Sequence, residues 1–555
     1  MKILIIGGVA GGATTATRLR RLDEKSEIII FDRGDFVSFA NCGLPYYVGN
    51  IIKSKENLLL QTPESFKERF NIDVRLNEEV VKILREDKKI QIRKKDGNIY
   101  EEDYDKLVIS PGAEPINPFK GLKSNKIKTL RTVNDAMEIK EYLENNDVKN
   151  IAIIGGGYIG IEMAENLRNM SKDTNITILE KADHLIGPLD QDMSNFVRKA
   201  LNKNNINTIL NNGVKNIIDN GNNLNIILDE GSLVVDFIIL CIGVKPEINL
   251  AIDANLNITD NGRITVNEFM QTSDCNIYAL GDAIQVINPI VDIPTYVPLA
   301  GPANKQARIV ANNIYGKGGS YKGTIGTSIL KVFDNNLGIV GINELTAKNN
   351  NINYKTMIIS PYSHATYYPG ATQTTIKAIY DKNNGKILGA QIWGKDGVDK
   401  LTDILAVAIK YKMNANDLAD LELSYAPPFS SAKSPINLLG NAIQNELDGM
   451  VETITWSDLL KQKNAYILDV RTEKEFNAGH LDNVKHIPLD ELRENLAQLP
   501  FDTKIYVYCH TGLRSYIATR ILKGNNFNAV NILGGFYLYN NTICLHNNKK
   551  KYIIT

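Results

Sequence analysis

The sequence predicts an α/β protein built on two doubly wound nucleotide-binding units, followed by an α+β segment and a smaller C-terminal α/β domain. Three observations carry this expectation. An apolar strand, a glycine-rich turn and a helix open the chain at Lys2, and the same order returns at Ile151. In both places the next strand ends on a carboxylate. A third strand-to-helix turn, around residue 509, is built on a cysteine instead of glycines.

The first unit runs from a strand at Lys2 to Ile6 through Gly7-Gly8-Val9-Ala10-Gly11-Gly12 into a helix from Ala13. Its second strand, Ile28 to Phe31, ends at Asp32-Arg33, with Asp32 lying 20 residues after Gly12. The second unit has the strand Ile151 to Ile154, the turn Gly155-Gly156-Gly157-Tyr158-Ile159-Gly160, a helix, and a strand ending at Glu180, again 20 residues on. Glycines let backbone approach a pyrophosphate, the helix N-terminus offers free N–H groups, and the carboxylate accepts from ribose hydroxyls. Candidate dinucleotide contacts are therefore Gly7, Gly8, Ala10, Gly11, Gly12, Asp32 and Arg33, then Gly155, Gly157, Tyr158, Ile159, Gly160 and Glu180. The first copy carries Val9 where the fingerprint has its middle glycine, so its weight comes from the matching acidic spacing.

Between the units stands Ser38-Phe39-Ala40-Asn41-Cys42-Gly43-Leu44-Pro45-Tyr46-Tyr47, a cysteine with no second cysteine a few residues on. A lone redox thiol must cycle through a sulfenic acid or a mixed disulfide with an external thiol. Further along, Ile277-Tyr278-Ala279-Leu280-Gly281-Asp282-Ala283 reads as a strand ending in Gly-Asp. The segments Leu107-Val108-Ile109-Ser110-Pro111-Gly112-Ala113 and Leu240-Cys241-Ile242-Gly243-Val244-Lys245-Pro246 resemble the outgoing and returning crossings between the domains of two-dinucleotide flavoproteins.

Together these motifs resemble the single-cysteine branch of the pyridine nucleotide-disulfide oxidoreductases, over residues 1 to about 445; the stretch around Cys42 is similar to that of coenzyme A-disulfide reductases. The resemblance implies two Rossmann-like domains: a discontinuous FAD domain at 1–114 and 241–320, and an inserted NAD(P)H domain at 115–240. It implies FAD contacts at Ser110, Pro111, Gly112, Gly281 and Asp282. Coenzyme A contacts are implied at Thr14, Arg18, Arg21, Ser38, Asn41 and Lys433. It implies an α+β dimerisation domain at 321–445, with a hairpin arm at Gly385 to Ile392 and an amphipathic helix at Leu401 to Ile409. In the resulting homodimer Tyr367 and Tyr425 serve the partner's site, where a phenol of ordinary pKa about 10 suits protonation of a departing thiolate. Glu180 favours NADH over NADPH, since a carboxylate repels a 2′-phosphate. Peroxidases of the branch carry a histidine in the first glycine loop, and Ala10 stands there instead.

Beyond a polar stretch the chain starts again. Ala465-Tyr466-Ile467-Leu468-Asp469-Val470-Arg471, Glu475-Phe476, Gly479-His480 and Ile487-Pro488 precede Cys509-His510-Thr511-Gly512-Leu513-Arg514-Ser515. A cysteine at a strand end, below inward-facing N–H groups, at a helix N-terminus and near Arg514, favours a thiolate and can hold a sulfane sulfur. The segment 453–540 resembles a rhodanese domain, with a sulfur-sized loop shorter than a phosphatase cradle; residues 541–555 form a tail.

At 555 residues the chain suggests roughly three to four domains of about 150 residues. The 63 Lys+Arg balance 63 Asp+Glu, which argues against a nucleic-acid or membrane-surface partner. No apolar run approaches the ~20 residues of a membrane span, and the strand that opens the sequence leads to the expectation of no signal peptide. Five scattered cysteines make no disulfide framework and suggest a reducing, cytoplasmic setting. No His/Cys/Asp spacing suggests a metal. Cys241 reads as strand core and Cys275 as structural. The expected function is NAD(P)H-driven, FAD-dependent reduction of coenzyme A-disulfide, coenzyme A-persulfide or polysulfide through Cys42, coupled to sulfur transfer at Cys509. Two alternatives stand beside it: an NADH oxidase working through a Cys42 sulfenate, and a redox- or sulfur-sensing binding protein.

Overall fold

The computed structural model describes residues 1–543. Of the tail expected at 541–555, Cys544 and the residues after it lie outside the described residues. Contacts divide the chain into two compact units, one of 1–181 with 211–324 and one of 182–210 with the residues from 325 on.

In the first unit a five-stranded parallel sheet runs in the order Ile277–Ala279, Lys106–Ile109, Lys2–Ile6, Glu27–Asp32, Asp73–Leu76. Ile3, Leu4, Ile5, Ile29, Ile30, Leu107 and Val108 are fully buried at its centre. Such near-continuous β-branched runs suit strands covered on both faces. A second parallel array places Asn175–Leu179, Asn150–Ile154, Phe237–Leu240 and Ile127–Thr129 side by side. The two crossings meet directly: Ala113–Pro115 pairs antiparallel with Val244–Pro246, so the chain leaves and re-enters along one two-stranded ribbon. Cys241 lies one residue past the strand Phe237–Leu240 and is half-buried, at the rim of that strand and not inside it. Cys275 is exposed in a turn.

In the second unit an antiparallel sheet runs Ser328–Val332, Asn335–Gly341, Ile387–Gly394, Thr375–Asp381, Tyr354–Ile359. The hairpin expected near Gly385 joins the central strand Ile387–Gly394 to its neighbour Thr375–Asp381, and the amphipathic helix spans Val398–Lys410. Lys377 is buried in this sheet, and its Nζ meets Asp192 at 2.8 Å, Glu344 at 3.0 Å and Asp190 at 3.1 Å. The C-terminal part is a parallel sheet in the order Thr453–Ile454, Ala529–Ile532, Ile505–Tyr508, Tyr466–Asp469, Lys485–His486. Helix Gln191–Lys203 packs against its end: Asn195 Nδ2 donates to the Thr542 carbonyl at 2.8 Å, and the Phe196 ring lies 6.0 Å from that of Tyr537. Among the described residues no helix is long and apolar enough to cross a membrane.

Candidate active sites

The two glycine turns are built alike. Gly7 and Gly155 both take positive φ, +91° and +110°. A Cβ at Gly12 or Gly160 would overlap the carbonyl oxygen of the first glycine of its own turn. Asp32 Oδ2 accepts from Gly8 N at 2.8 Å, and Glu180 Oε2 accepts from Gly156 N at 2.7 Å. Each carboxylate thus braces the turn it follows. Asp32 also accepts from Gly34 N at 2.8 Å, although burial raises its carboxyl above the usual range. Gly157 precedes the helix Tyr158–Met170, on which Ile159 is exposed.

Ser110 N donates to Ile6 O at 2.8 Å, so the Ser110-Pro111-Gly112 segment lies against the first turn. Asp282 pairs with Arg131 at 3.0 Å, and Gly281 N is held by buried Gln306 at 2.8 Å. A cleft of about 430 Å³ is lined by Gly7, Asp32, Arg33, Glu79, Val80 and Pro111 among others. In it Arg33 faces Glu114 at 2.9 Å. The buried Tyr296 hydroxyl has no hydrogen-bond partner, and its pKa is pushed up to about 12 by burial and then by Asp282. A glycine turn that excludes any Cβ, a carboxylate at the strand end and an orphaned hydroxyl fit a bound dinucleotide.

Ser38 takes a left-handed φ of +48°, and its N–H donates to Gly8 O at 2.9 Å. That tie fixes the entry to the following turn, Asn41–Gly43, in which Gly43 N donates to Ala40 O at 2.8 Å. Cys42 is exposed there, yet the protein packed behind its thiol raises its pKa, and the Glu162 carboxylate adds to the rise. Arg131 acts in the opposite direction. Glu162 itself is pushed up to about 7 by burial, and Tyr46 Oη donates to it at 3.3 Å. Thr14 Oγ1 donates to Asn304 Oδ1 at 2.5 Å, while Arg18 Nε and Nη2 reach Asn312 Oδ1 at 3.2 and 3.1 Å. Arg21 and Lys433 are exposed, and Asn41 is half-buried.

Tyr367 and Tyr425, 58 residues apart in sequence, share a hydrogen bond of 2.7 Å between their hydroxyls. Both are exposed, and the bond to Tyr425 raises the pKa of Tyr367. Tyr362 and Tyr368, other tyrosines of the same loop, make no such bond; Tyr368 packs its edge against His364.

Cys509 ends the strand Ile505–Tyr508 and is buried. Its Sγ accepts from Gly512 N at 3.1 Å and from Ser515 Oγ at 3.5 Å. Phe536 N and Tyr537 N hold the carbonyls of Cys509 and His510, each at 2.8 Å. Beneath, Arg471 and Asp469 form a buried pair at 2.7 Å, and the Arg471 guanidinium lies 4.0 Å over Phe536. Arg514 is held by both oxygens of Glu475, at 2.6 and 2.7 Å, which keeps the Glu475 carboxyl down at about 2. The sequence reading missed Arg131, Glu162 and Gln306, and named Glu475 only within its motif without its pairing to Arg514, because each reaches its site from a distant segment. Among the described residues no His/Cys/Asp/Glu group could hold a metal.

Residues 1–307 match the pyridine nucleotide-disulphide oxidoreductase family, 327–435 its dimerisation domain, and 455–542 the rhodanese-like domain. The coenzyme A disulfide reductase of Staphylococcus haemolyticus is 36% identical over 445 residues, covering 79% of this chain and 98% of that protein. The crystal structure of reduced Bacillus anthracis CoADR-RHD is 44% identical, with a TM-score of 0.94 over 98% of each chain. The NAD-dependent persulfide reductase of A. fulgidus is 36% identical, with a TM-score of 0.92 over 97% of this chain and 100% of its own. With its two braced glycine turns, its lone Cys42 and its C-terminal sulfur cradle, the chain belongs to the pyridine nucleotide-disulphide oxidoreductase family, in a form that carries a rhodanese-like domain.

Proposed function

We propose that this enzyme uses NAD(P)H to reduce coenzyme A-disulfide, coenzyme A-persulfide or polysulfide at Cys42, with Cys509 carrying sulfane sulfur to or from coenzyme A. The observation that carries the reading is one chain with two dissimilar thiols: Cys42, exposed and within the field of Glu162, Arg131 and Asp282, and Cys509, buried in a cradle of N–H and O–H donors. The FAD domain is 1–114 with 241–320, the NAD(P)H domain 115–240, the dimerisation domain 321–445 and the rhodanese domain 453–540.

Gly7, Gly8, Ala10, Gly11, Gly12, Asp32, Arg33, Ser110, Pro111, Gly112, Gly281 and Asp282 would hold FAD. Gly155, Gly157, Tyr158, Ile159, Gly160 and Glu180 would hold the nicotinamide nucleotide. FAD, when bound, supplies the two-electron link between NADH and sulfur. The Cys42 thiolate attacks the inner sulfur of coenzyme A-persulfide, forming a Cys42–coenzyme A disulfide and expelling hydrosulfide. The Tyr367–Tyr425 pair, lent by the partner in a homodimer, gives the proton that the leaving hydrosulfide takes. Two electrons from NADH then cleave the mixed disulfide and restore the Cys42 thiolate with free coenzyme A. Thr14, Arg18, Arg21, Ser38, Asn41 and Lys433 hold coenzyme A during both steps. The four described cysteines are free thiols, which supports work in a reducing, cytoplasmic compartment.

The rhodanese cradle favours persulfide chemistry, because a disulfide reductase gains nothing from a sulfurtransferase. Neither the oxidase nor the sensor reading accounts for the pairing of these two thiols. Mass spectrometry of the purified enzyme tests the reading: an adduct of coenzyme A mass is expected on Cys42. Cys42→Ser should keep FAD and lose reduction of every sulfur acceptor. Near-normal persulfide reduction by that variant would falsify the role of Cys42.

A further inference from the structure

Helices Ala10–Leu22 and Ala300–Ile314 lie against each other along their lengths. On the first, Thr14, Arg18 and Arg21 follow at helical spacing. On the second, Asn304, Arg308 and Asn312 stand four residues apart and so share one face. Two hydrogen bonds pin these faces together, Thr14 to Asn304 at 2.5 Å and the Arg18 fork to Asn312 at 3.1 and 3.2 Å. Arg308 falls midway between the two pins, which puts its charge beside Arg18. The two are close enough to feel each other: the Arg18 guanidinium is depressed first by desolvation, then by the charge of Arg308, then by that of Arg21. Among the described residues no carboxylate forms an ion pair with Arg18, Arg21 or Arg308. Three cations gathered along one helix pair without an internal counter-charge form a surface that an external polyanion stabilises.

The geometry points to Arg308 as a third phosphate-holding arginine, which with Arg18 and Arg21 grips the 3′-phospho-ADP of coenzyme A and makes the enzyme prefer coenzyme A-linked sulfur over simpler thiols. This rests on the reading that coenzyme A carries the substrate sulfur. The chemistry matches in count. The ligand presents a pyrophosphate and a phosphate monoester, more negative charge than two arginines neutralise. Asn312 occupies the fork of Arg18 and fixes its direction, whereas Arg308 is exposed and makes no bond that the fold needs. Removing it therefore perturbs the ligand site without perturbing the helix pair.

The test compares the flavin-loaded parent, Arg308→Ala and Arg18→Ala/Arg21→Ala on coenzyme A-disulfide and on pantethine, which keeps the disulfide arm but lacks the phospho-ADP. Calorimetric titration with coenzyme A and with pantetheine gives a second readout independent of turnover. Arg308→Ala should raise KM for coenzyme A-disulfide and weaken coenzyme A binding about tenfold, the loss of one charge-assisted contact of about 1.4 kcal/mol. Its KM for pantethine should change less than about twofold, and Arg308→Lys should recover part of the loss. Equal losses on both substrates, or no loss on either, overturn the assignment of Arg308. If the double variant discriminates the substrates and Arg308→Ala does not, Arg308 is excluded while the coenzyme A reading stands. If the parent itself shows no preference for coenzyme A-disulfide over pantethine, that reading fails and the inference falls with it.

Discussion

Lys377→Met should destabilise the second unit by about 3 kcal/mol at neutral pH, and the loss should shrink as the pH falls. Among the described residues Lys377 Nζ is the one cation within 3.1 Å of Asp190, Asp192 and Glu344. Its side chain is 3% exposed and that of Asp190 8%, against 26% for Asp192 and 33% for Glu344. Breaking a buried ion pair from one side costs about 3–5 kcal/mol, because a charge is left uncompensated. Here Asp192 and Glu344 can turn to water. Asp190 keeps two neutral donors, Gln391 Nε2 at 2.7 Å and Glu344 N at 3.0 Å, which places the cost at the low end. Burial raises the folded pKa of Asp190 above its ordinary value. A carboxyl with a raised folded pKa weakens the fold in full above that folded value, and the penalty fades as pH falls from there to the unfolded pKa of about 3.9. Loss of Lys377 raises that folded value further, so the variant should approach the parent between neutrality and about pH 4. Urea unfolding followed by Trp393, in a Trp456→Phe background, measures this at pH 7.5 and pH 5. A loss below about 1 kcal/mol at pH 7.5, or an equal loss at both values, would refute the argument.

Other outcomes follow from the two sulfur sites and the glycine turns. Gly12→Ala should yield folded protein with little FAD, because the new methyl overlaps the Gly7 carbonyl; flavin absorbance at normal content would refute this. Glu475→Gln should lower stability at neutral pH by about 1–2 kcal/mol, discounted for a pair that is about a third exposed. The folded pKa of Glu475 is depressed to about 2, so the parent's advantage exists above the unfolded pKa of about 4.3 and disappears as pH falls toward 2. Acid titrations of both proteins should therefore converge below pH 4. Cys509→Ser should abolish sulfur transfer from a donor and leave reduction of added coenzyme A-disulfide near the parent rate; joint loss of both activities with FAD retained would end the relay idea.

What the sequence made legible is what the chain keeps local. The turns Gly7–Gly12 and Gly155–Gly160, the loop from Cys509 to Arg514 and the isolation of Cys42 are each set within a dozen residues. Backbone chemistry there demands particular residue types at particular spacings. The charges that act on those sites come from elsewhere. Arg131 reaches Asp282 across 151 residues, and Glu475 reaches Arg514 across 39. No periodicity in either segment marks such a pairing. Arg514 is an instructive case. The sequence placed it beside Cys509 as a bare cation, whereas both oxygens of Glu475 hold it in the fold. The pair Tyr367 and Tyr425 was picked by resemblance alone, and its shared hydrogen bond is a tertiary fact that no local pattern encodes.

The contact between helix Gln191–Lys203 and the end of the C-terminal domain bears on how the two thiols are to be separated experimentally. Thr542 is fully buried there, Asn195 spends its amide on the Thr542 carbonyl, and the Phe196 ring lies 6.0 Å from those of Trp393 and Tyr537. Cutting the chain before residue 453 would strip cover from Phe196 and leave the Asn195 amide without its acceptor. Helix Gln191–Lys203 would be left with a sticky, half-solvated flank. A truncated enzyme that reduces disulfides poorly would then report a damaged helix and say nothing about sulfur traffic. Point substitution of the sulfur atom itself leaves that seam closed, and it is the surgery this architecture tolerates.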